Sequence, residues 1–158
     1  MTDPVVHRIL AFVEFAAKGG PELGYAISLA AQLKAELILF GVIDTPSMVA
    51  LIARHRARQK PVVGATLTEA MVGDAKDILQ ELVDQAEEAG VRARGHATVS
   101  EEVPEQILKE AIVQEVDLIL IPPGETGFLE RLMGSTVEEV LDAAPCPVLV
   151  GAKHPKRG

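Results

Sequence analysis

With 158 residues, 48% of them hydrophobic and 24% charged, the chain has the balance of one globular domain with a full core, and it is too short to suggest two. Fifteen Lys and Arg against 23 Asp and Glu leave a formal charge of −8, which argues against a sequence-independent grip on nucleic acid or anionic lipid. No apolar run approaches membrane-spanning length, the N-terminus lacks an export signal, and the single Cys146 has no partner for an internal disulfide, so the expectation is a cytoplasmic protein that contacts neither membrane nor nucleic acid.

Ile9 to Val13 is apolar and predicts a first strand, followed by a loop at Ala16 to Gly20. Gly20 and Pro21 read as a cap and first-turn pair, and Leu23, Ala26, Ile27, Ala30 and Ala31 recur at helical spacing to a stop near Lys34. Leu37 to Ile43 is a second strand, completing a strand, helix, strand unit of the length a right-handed parallel crossover needs. From Thr45 to Gly64 the pattern is less regular and reads as a long connection, with room for a short helix whose basic end carries Arg54, His55, Arg56, Arg58 and Lys60. That end reads first as a solvated face suited to a helix dipole, and second as a contact for a phosphate or an acidic partner.

Thr66 and Glu69 form a capping-box pattern ahead of Met71, Ala75, Ile78, Leu79, Leu82, Val83 and Ala86, which share one helical face up to Gly90. Val91 to Val99 alternates and is interrupted by Arg92, Arg94 and His96, as an edge strand would be. Val103 to Glu115 predicts a helix with Pro104 in its first turn. Leu118 to Ile121 is a continuous apolar run, the pattern of a strand covered on both faces. Pro122, Pro123 and Gly124 end it, Gly127 adds a second turning point, and Gly134, Ser135 and Thr136 precede an amphipathic run and a final strand. The tail 153–158 is short and basic. Alternating strands and helices predict one open, doubly wound α/β domain of five parallel strands with helices on both faces, binding any ligand over the ends of the first, second and fourth strands.

Gly134 has no Lys after it, which excludes the phosphate loop of the common nucleoside triphosphatases, and Gly19, Gly20 and Gly24 do not fit the dinucleotide fingerprint. The four histidines lack metal-ligand spacing and read as solvated or satisfied, while Cys146, between Pro145 and Pro147, reads as a small core residue. Nothing in the sequence sets an activated nucleophile beside a base.

At Gly124, Gly127 and Gly134-Ser135, followed by APCPVLV, the chain resembles the universal stress protein family. The likeness extends over ILAFVEF, LILFGVID, VDLILIPPGETG and RLMGSTVEEVL, nearly the whole length, with its specific part in the C-terminal half. The resemblance implies a sheet ordered 3-2-1-4-5, a homodimer through the last strand, here Pro147 to Ala152, and one branch that binds ATP beside another that binds no nucleotide. Carried over position by position, the nucleotide contacts fall on Glu14, Val42, Gly124, Gly127, Gly134 and Ser135, with Phe12, Pro123, Thr126 and Thr136 beside them. The cofactor implied is ATP or a related adenine nucleotide, with Mg2+ as its accompanying ion, and the role is a non-enzymatic stress or regulatory protein acting on an unnamed protein partner.

Three features depart from the family pattern: Glu14 stands where the binding branch has Asp, Pro123 stands where an apolar residue such as Met is common, and only six residues, Phe128 to Met133, separate Gly127 from Gly134. They motivate the alternative reading, a dimeric interaction protein without nucleotide. An ATP-hydrolysing or adenylating enzyme ranks last, because related sheet folds that adenylate carry a Ser-Gly-Gly type loop after the first strand, unlike Ala16, Ala17, Lys18 and Gly19. Ser135 with Glu138 is also explained as a capping box alone, stabilising by about 1 kcal/mol.

Overall fold

The computed structural model describes residues 5–17, 21–58, 66–121 and 140–150. Five strands, β1 (Arg8–Val13), β2 (Glu36–Ile43), β3 (Ala93–Val99), β4 (Leu118–Ile121) and β5 (Val148–Val150), form one parallel sheet in the order β3-β2-β1-β4-β5. Helices α1 (Gly24–Leu33), α2 (Thr45–Ala57), α3 (Leu67–Glu88) and α4 (Val103–Val113) connect them, and residues 140–143 are helical again. The expected architecture and strand order are what the chain adopts.

Strand periodicity divides the core in two. Ile9, Ala11, Val13, Leu37, Leu39 and Ile43 point to the face covered by α1, α2 and α3. Leu10, Phe12, Ile38, Phe40, Val42, Ile119 and Ile121 point to the other face, where Val103, Ile107 and Ala111 of α4 pack. Both faces of β1 and β2 are therefore dry, which is why these strands read as unbroken apolar runs. Asp117 anchors the amino ends of β1 and β4: its Oδ2 accepts from the backbone N–H of His7 at 2.8 Å and of Arg8 at 3.0 Å.

Two local expectations are corrected. Pro21 does not lie in the first turn of α1; the helix begins at Gly24 with Leu23 as its N-cap and no side-chain cap, while the Glu22 carboxylate, one residue earlier, accepts from the Gly24 N–H at 2.7 Å. Thr45 to Ala57 is not a connection with a short helix but a full helix of 13 residues, started by Asp44, whose carboxylate accepts from the Ser47 N–H, with Pro46 in its first turn. Its Arg54, His55 and Arg56 lie in the last turn, as expected of a basic end. The capping box of α3 is formed: Glu69 N–H donates to Thr66 Oγ1 at 3.1 Å and Thr66 N–H to Glu69 Oε2 at 3.4 Å.

β3 lies at the sheet edge, as its charges suggested. His96 reaches back to the helix layer, its Nδ1 2.9 Å from Glu110 Oε2 and its ring 5.6 Å from that of Phe40. His55 Nδ1 lies 2.7 Å from Asp74 Oδ2 across the α2–α3 seam, with Nε2 buried and unpartnered. Both histidines are thus held by carboxylates. Cys146, partly buried, packs against the second cluster, and burial, then the charge of Asp117, raises its thiol pKa against the opposing hydrogen bond with the Ile119 backbone.

Candidate functional site

All five strands run the same way, so their carboxyl ends share one edge, and the sheet reverses its winding between β1 and β4. A crevice forms at such a point because the helices on either side depart in opposite directions. Phe12, Glu14 and Val42 meet there. Phe12 and Val42 belong to one buried cluster, and Glu14 follows the last paired residue of β1, Val13, which is in register with Gly41. Phe12 and Val42 are 2% and 1% exposed, main chain included, so both are closed over by the protein itself.

Glu14 is buried at 4% exposure. Its Oε1 accepts from the Ala16 N–H at 3.0 Å while its carbonyl accepts from the Ala17 N–H at 3.1 Å, so the longer acid closes its own turn. The turn sends Phe15 to the opposite face, where its ring lies over Gly41, and a Cβ on Gly41 would clash with Phe15 Cε2. Glycine at this position is therefore a packing requirement, and it leaves the face of Phe12 and Val42 to other groups.

The end of β2 adds two residues that the sequence reading did not single out. Asp44, 7% exposed, caps α2, and Ser47, 1% exposed, receives that cap through its N–H at 3.0 Å and donates its hydroxyl to the Val42 carbonyl at 3.3 Å. The signal for them was Asp44-Thr45-Pro46, an acid followed by a first-turn proline, which marks a helix start. Two buried carboxylates, Glu14 and Asp44, thus end adjacent strands. Such a pair favours donors such as sugar hydroxyls and disfavours phosphate, so an anion in this crevice belongs at its far side, after β4.

The residues expected there, Pro123, Gly124, Thr126, Gly127, Gly134, Ser135 and Thr136, lie outside the described residues. β4 brings the chain to that side, since Ile121 closes it one residue before Pro122. A cavity of about 450 Å3 opens at the opposite edge of the sheet, beside His7, Lys34 and Gly90, and two of its charged side chains, Arg8 and Glu36, are engaged within the protein. Arg8 donates to the Gln114 carbonyl and pairs with Glu115, and Glu36 pairs with Arg94 at 3.1 Å.

An open parallel sheet ordered 3-2-1-4-5 with its crevice between β1 and β4 defines the Rossmann-like, doubly wound class of ligand-binding folds. Within that class, residues 6–151 match the Universal stress protein family, and the chain belongs to it. Universal stress protein MJ0531 of Methanocaldococcus jannaschii is 32% identical over 137 residues, covering 84% of this chain and 74% of that protein. Among solved structures, the protein MJ0577 superposes with a TM-score of 0.64 at 23% identity, over 96% of this chain and 99% of its own. The Archaeoglobus fulgidus universal stress protein in complex with dAMP gives 0.57 at 18% identity, over 92% and 98%. At these identities the two structures report on the fold.

Proposed function

We propose that the chain is a non-enzymatic regulatory protein that binds an adenine nucleotide, ATP or a close relative, across the carboxyl edge of its sheet. The observation that carries the reading is the meeting of Glu14 and Val42 at the ends of β1 and β2, on the crevice side of a fold whose relative from A. fulgidus is in complex with dAMP. In this reading Glu14 offers a carboxylate to ribose hydroxyls, and the family resemblance assigns the base to Val42 and the phosphate to the glycines and Ser135 of the C-terminal half.

Magnitudes limit each part. A helix dipole contributes about 0.3–2 kcal/mol, whereas micromolar affinity requires about 8 kcal/mol, so base and ribose contacts must supply most of the binding energy. Among the described residues no group of three or more His, Cys, Asp or Glu side chains could hold a metal ion. Calorimetry with ATP, ADP, AMP and cyclic nucleotides tests the reading: saturable heat with adenine nucleotides is the expected result, and silence at millimolar ligand rejects it.

The second reading, a dimer without nucleotide, rests on β5. This strand forms the other sheet edge, and Leu149 and Val150 are 39% and 38% exposed along it. An uncharged Val-Leu-Val edge invites pairing with its twin about a twofold axis through Pro147 to Ala152, of which residues up to 150 are described. Sedimentation at micromolar concentration should show a dimer that Leu149→Lys splits into monomers; a monomeric wild type removes this reading.

A further inference from the structure

We propose that the cavity at the amino edge of the sheet is a second ligand site, in which His7, Lys34 and Arg92 hold a compact dianion of the phosphate class. It lies at the opposite ends of the strands from the nucleotide crevice and stands or falls independently of that reading.

The fold assembles the three residues from distant parts of the chain. His7 precedes β1, Lys34 lies between α1 and β2, and Arg92 lies between α3 and β3. Backbone bonds set these entries side by side: Glu36 N–H donates to the His7 carbonyl at 2.8 Å, and Leu37 N–H to the Arg92 carbonyl at 2.9 Å. The cavity beside them, of about 450 Å3, has the buried Ala30, Ala35 and Val91 in its wall. Small-molecule sites span about 300–1,000 Å3, so there is room for a phosphate group and a small organic body attached to it.

The lining is positive in a chain whose net charge is −8. Glu36, the one acid among the lining residues, pairs with Arg94 at 3.1 Å, and Arg8 is taken up by Glu115 at 3.8 Å and by the Gln114 carbonyl at 3.2 Å. The side chains of His7, Lys34 and Arg92 have no hydrogen bond or ion pair among the described residues. A guanidinium can grip two phosphate oxygens at once, an ammonium supplies a point charge, and an imidazole adds a further N–H. A polyanion would meet the acidic remainder of the surface, whereas a small dianion meets only the local field.

Helix dipoles alone would account for cations that follow α1 and α3. The backbone at Lys34 asks for more. Helices α1, α3 and α4 end in the same turn, in which the N–H groups of Ala35, Val91 and Val116 reach back to the carbonyls of Ala30, Ala86 and Ala111. The residue before each of these donors is left-handed, and α3 fills that place with Gly90, at φ 80°. In α1 the place is held by Lys34, at φ 56°, where a side chain is disfavoured. In α4 it is held by Glu115, at φ 52°, whose carboxylate pairs with Arg8 of the same lining. Charged side chains are thus kept around this cavity at positions that favour glycine, and such outliers collect at ligand sites.

The test is a titration of the isotope-labelled full chain, followed by amide NMR, with sodium phosphate and glycerol phosphate against sodium chloride at matched ionic strength. Wild type should show saturable shifts centred on His7, Lys34, Ala35 and Arg92, half complete at about 1 mM phosphate or below, and no saturation with chloride. Lys34→Gly, which copies the turn at Gly90, should weaken phosphate about tenfold or more while its melting temperature stays at or above that of wild type. Arg92→Gln should weaken phosphate similarly, and Lys34→Arg should retain it. Tighter binding of glycerol phosphate than of phosphate would support a phosphate ester as the ligand, and equal or weaker binding the inorganic ion. Shifts that follow chloride, shifts confined to the carboxyl edge, or full affinity in Lys34→Gly overturn the site, whether or not ATP binds. Melting temperatures that fall in step with affinity in Lys34→Gly and Arg92→Gln overturn it too, since they mark a merely structural contribution.

Discussion

His96 shows how a charged residue on an edge strand becomes structural. Glu110 is 7% exposed on α4, and its Oε2 accepts from both His96 and the Gln114 amide, at 2.9 and 3.2 Å. A carboxylate so covered depends on its donors, because solvent cannot replace them. His96→Ala should lower stability in urea unfolding by about 1–3 kcal/mol, and His96→Ala combined with Glu110→Leu should recover most of it. Equal losses in the single and double variants would show that the contact contributes nothing of its own. From the sequence, His96 was legible as satisfied or solvated, and not as the partner of Glu110. The two are 14 residues apart and meet only once β3 and α4 are placed.

At the scale of elements, local signals succeeded where one residue type settles a backbone need. Thr66 and Glu69 announced α3, and its full apolar face, from Met71 to Ala86, is buried as the spacing predicted. α2 was underread because only Ser47 and Leu51 along it are buried, so its apolar pattern is weak and its Asp44 cap carries the signal instead. The start of α1 lies at Gly24, past Pro21, with Leu23 as an N-cap that has no side-chain hydrogen bond, so no capping residue marks it in the sequence. Gly41 is a further case: in the sequence it interrupts a strand, and in the fold it admits the Phe15 ring. Gly41→Ala should cost about 1–3 kcal/mol through overpacking. Adding Phe15→Leu should relieve much of that cost, a coupling that thermal unfolding of the two single variants and the double variant would reveal. Simple additivity would refute the contact as its source.

Across the whole molecule, the topology was legible because five strands, those in the middle of the sheet buried, alternate with helices in a way that few arrangements satisfy, and the family resemblance supplied their order. The candidate site was only half legible. Phe12, Glu14 and Val42 lie at the carboxyl ends of adjacent strands, and Asp44 and Ser47, which shape that edge, belong to a helix start whose role depends on the fold around it. On the proposed reading the site has two halves of opposite electrostatic character, the acids that end β1 and β2 and the phosphate contacts that the family resemblance implies for the stretch after β4. A nucleotide matches that division, with its ribose on one side and its phosphates on the other. The most direct test is therefore calorimetric titration of the purified chain with ATP, alongside Glu14→Ala. Nucleotide binding predicts saturable heat with micromolar affinity for wild type and a loss of about tenfold or more when the ribose acceptor is removed. No heat and no thermal shift at millimolar ATP would contradict it.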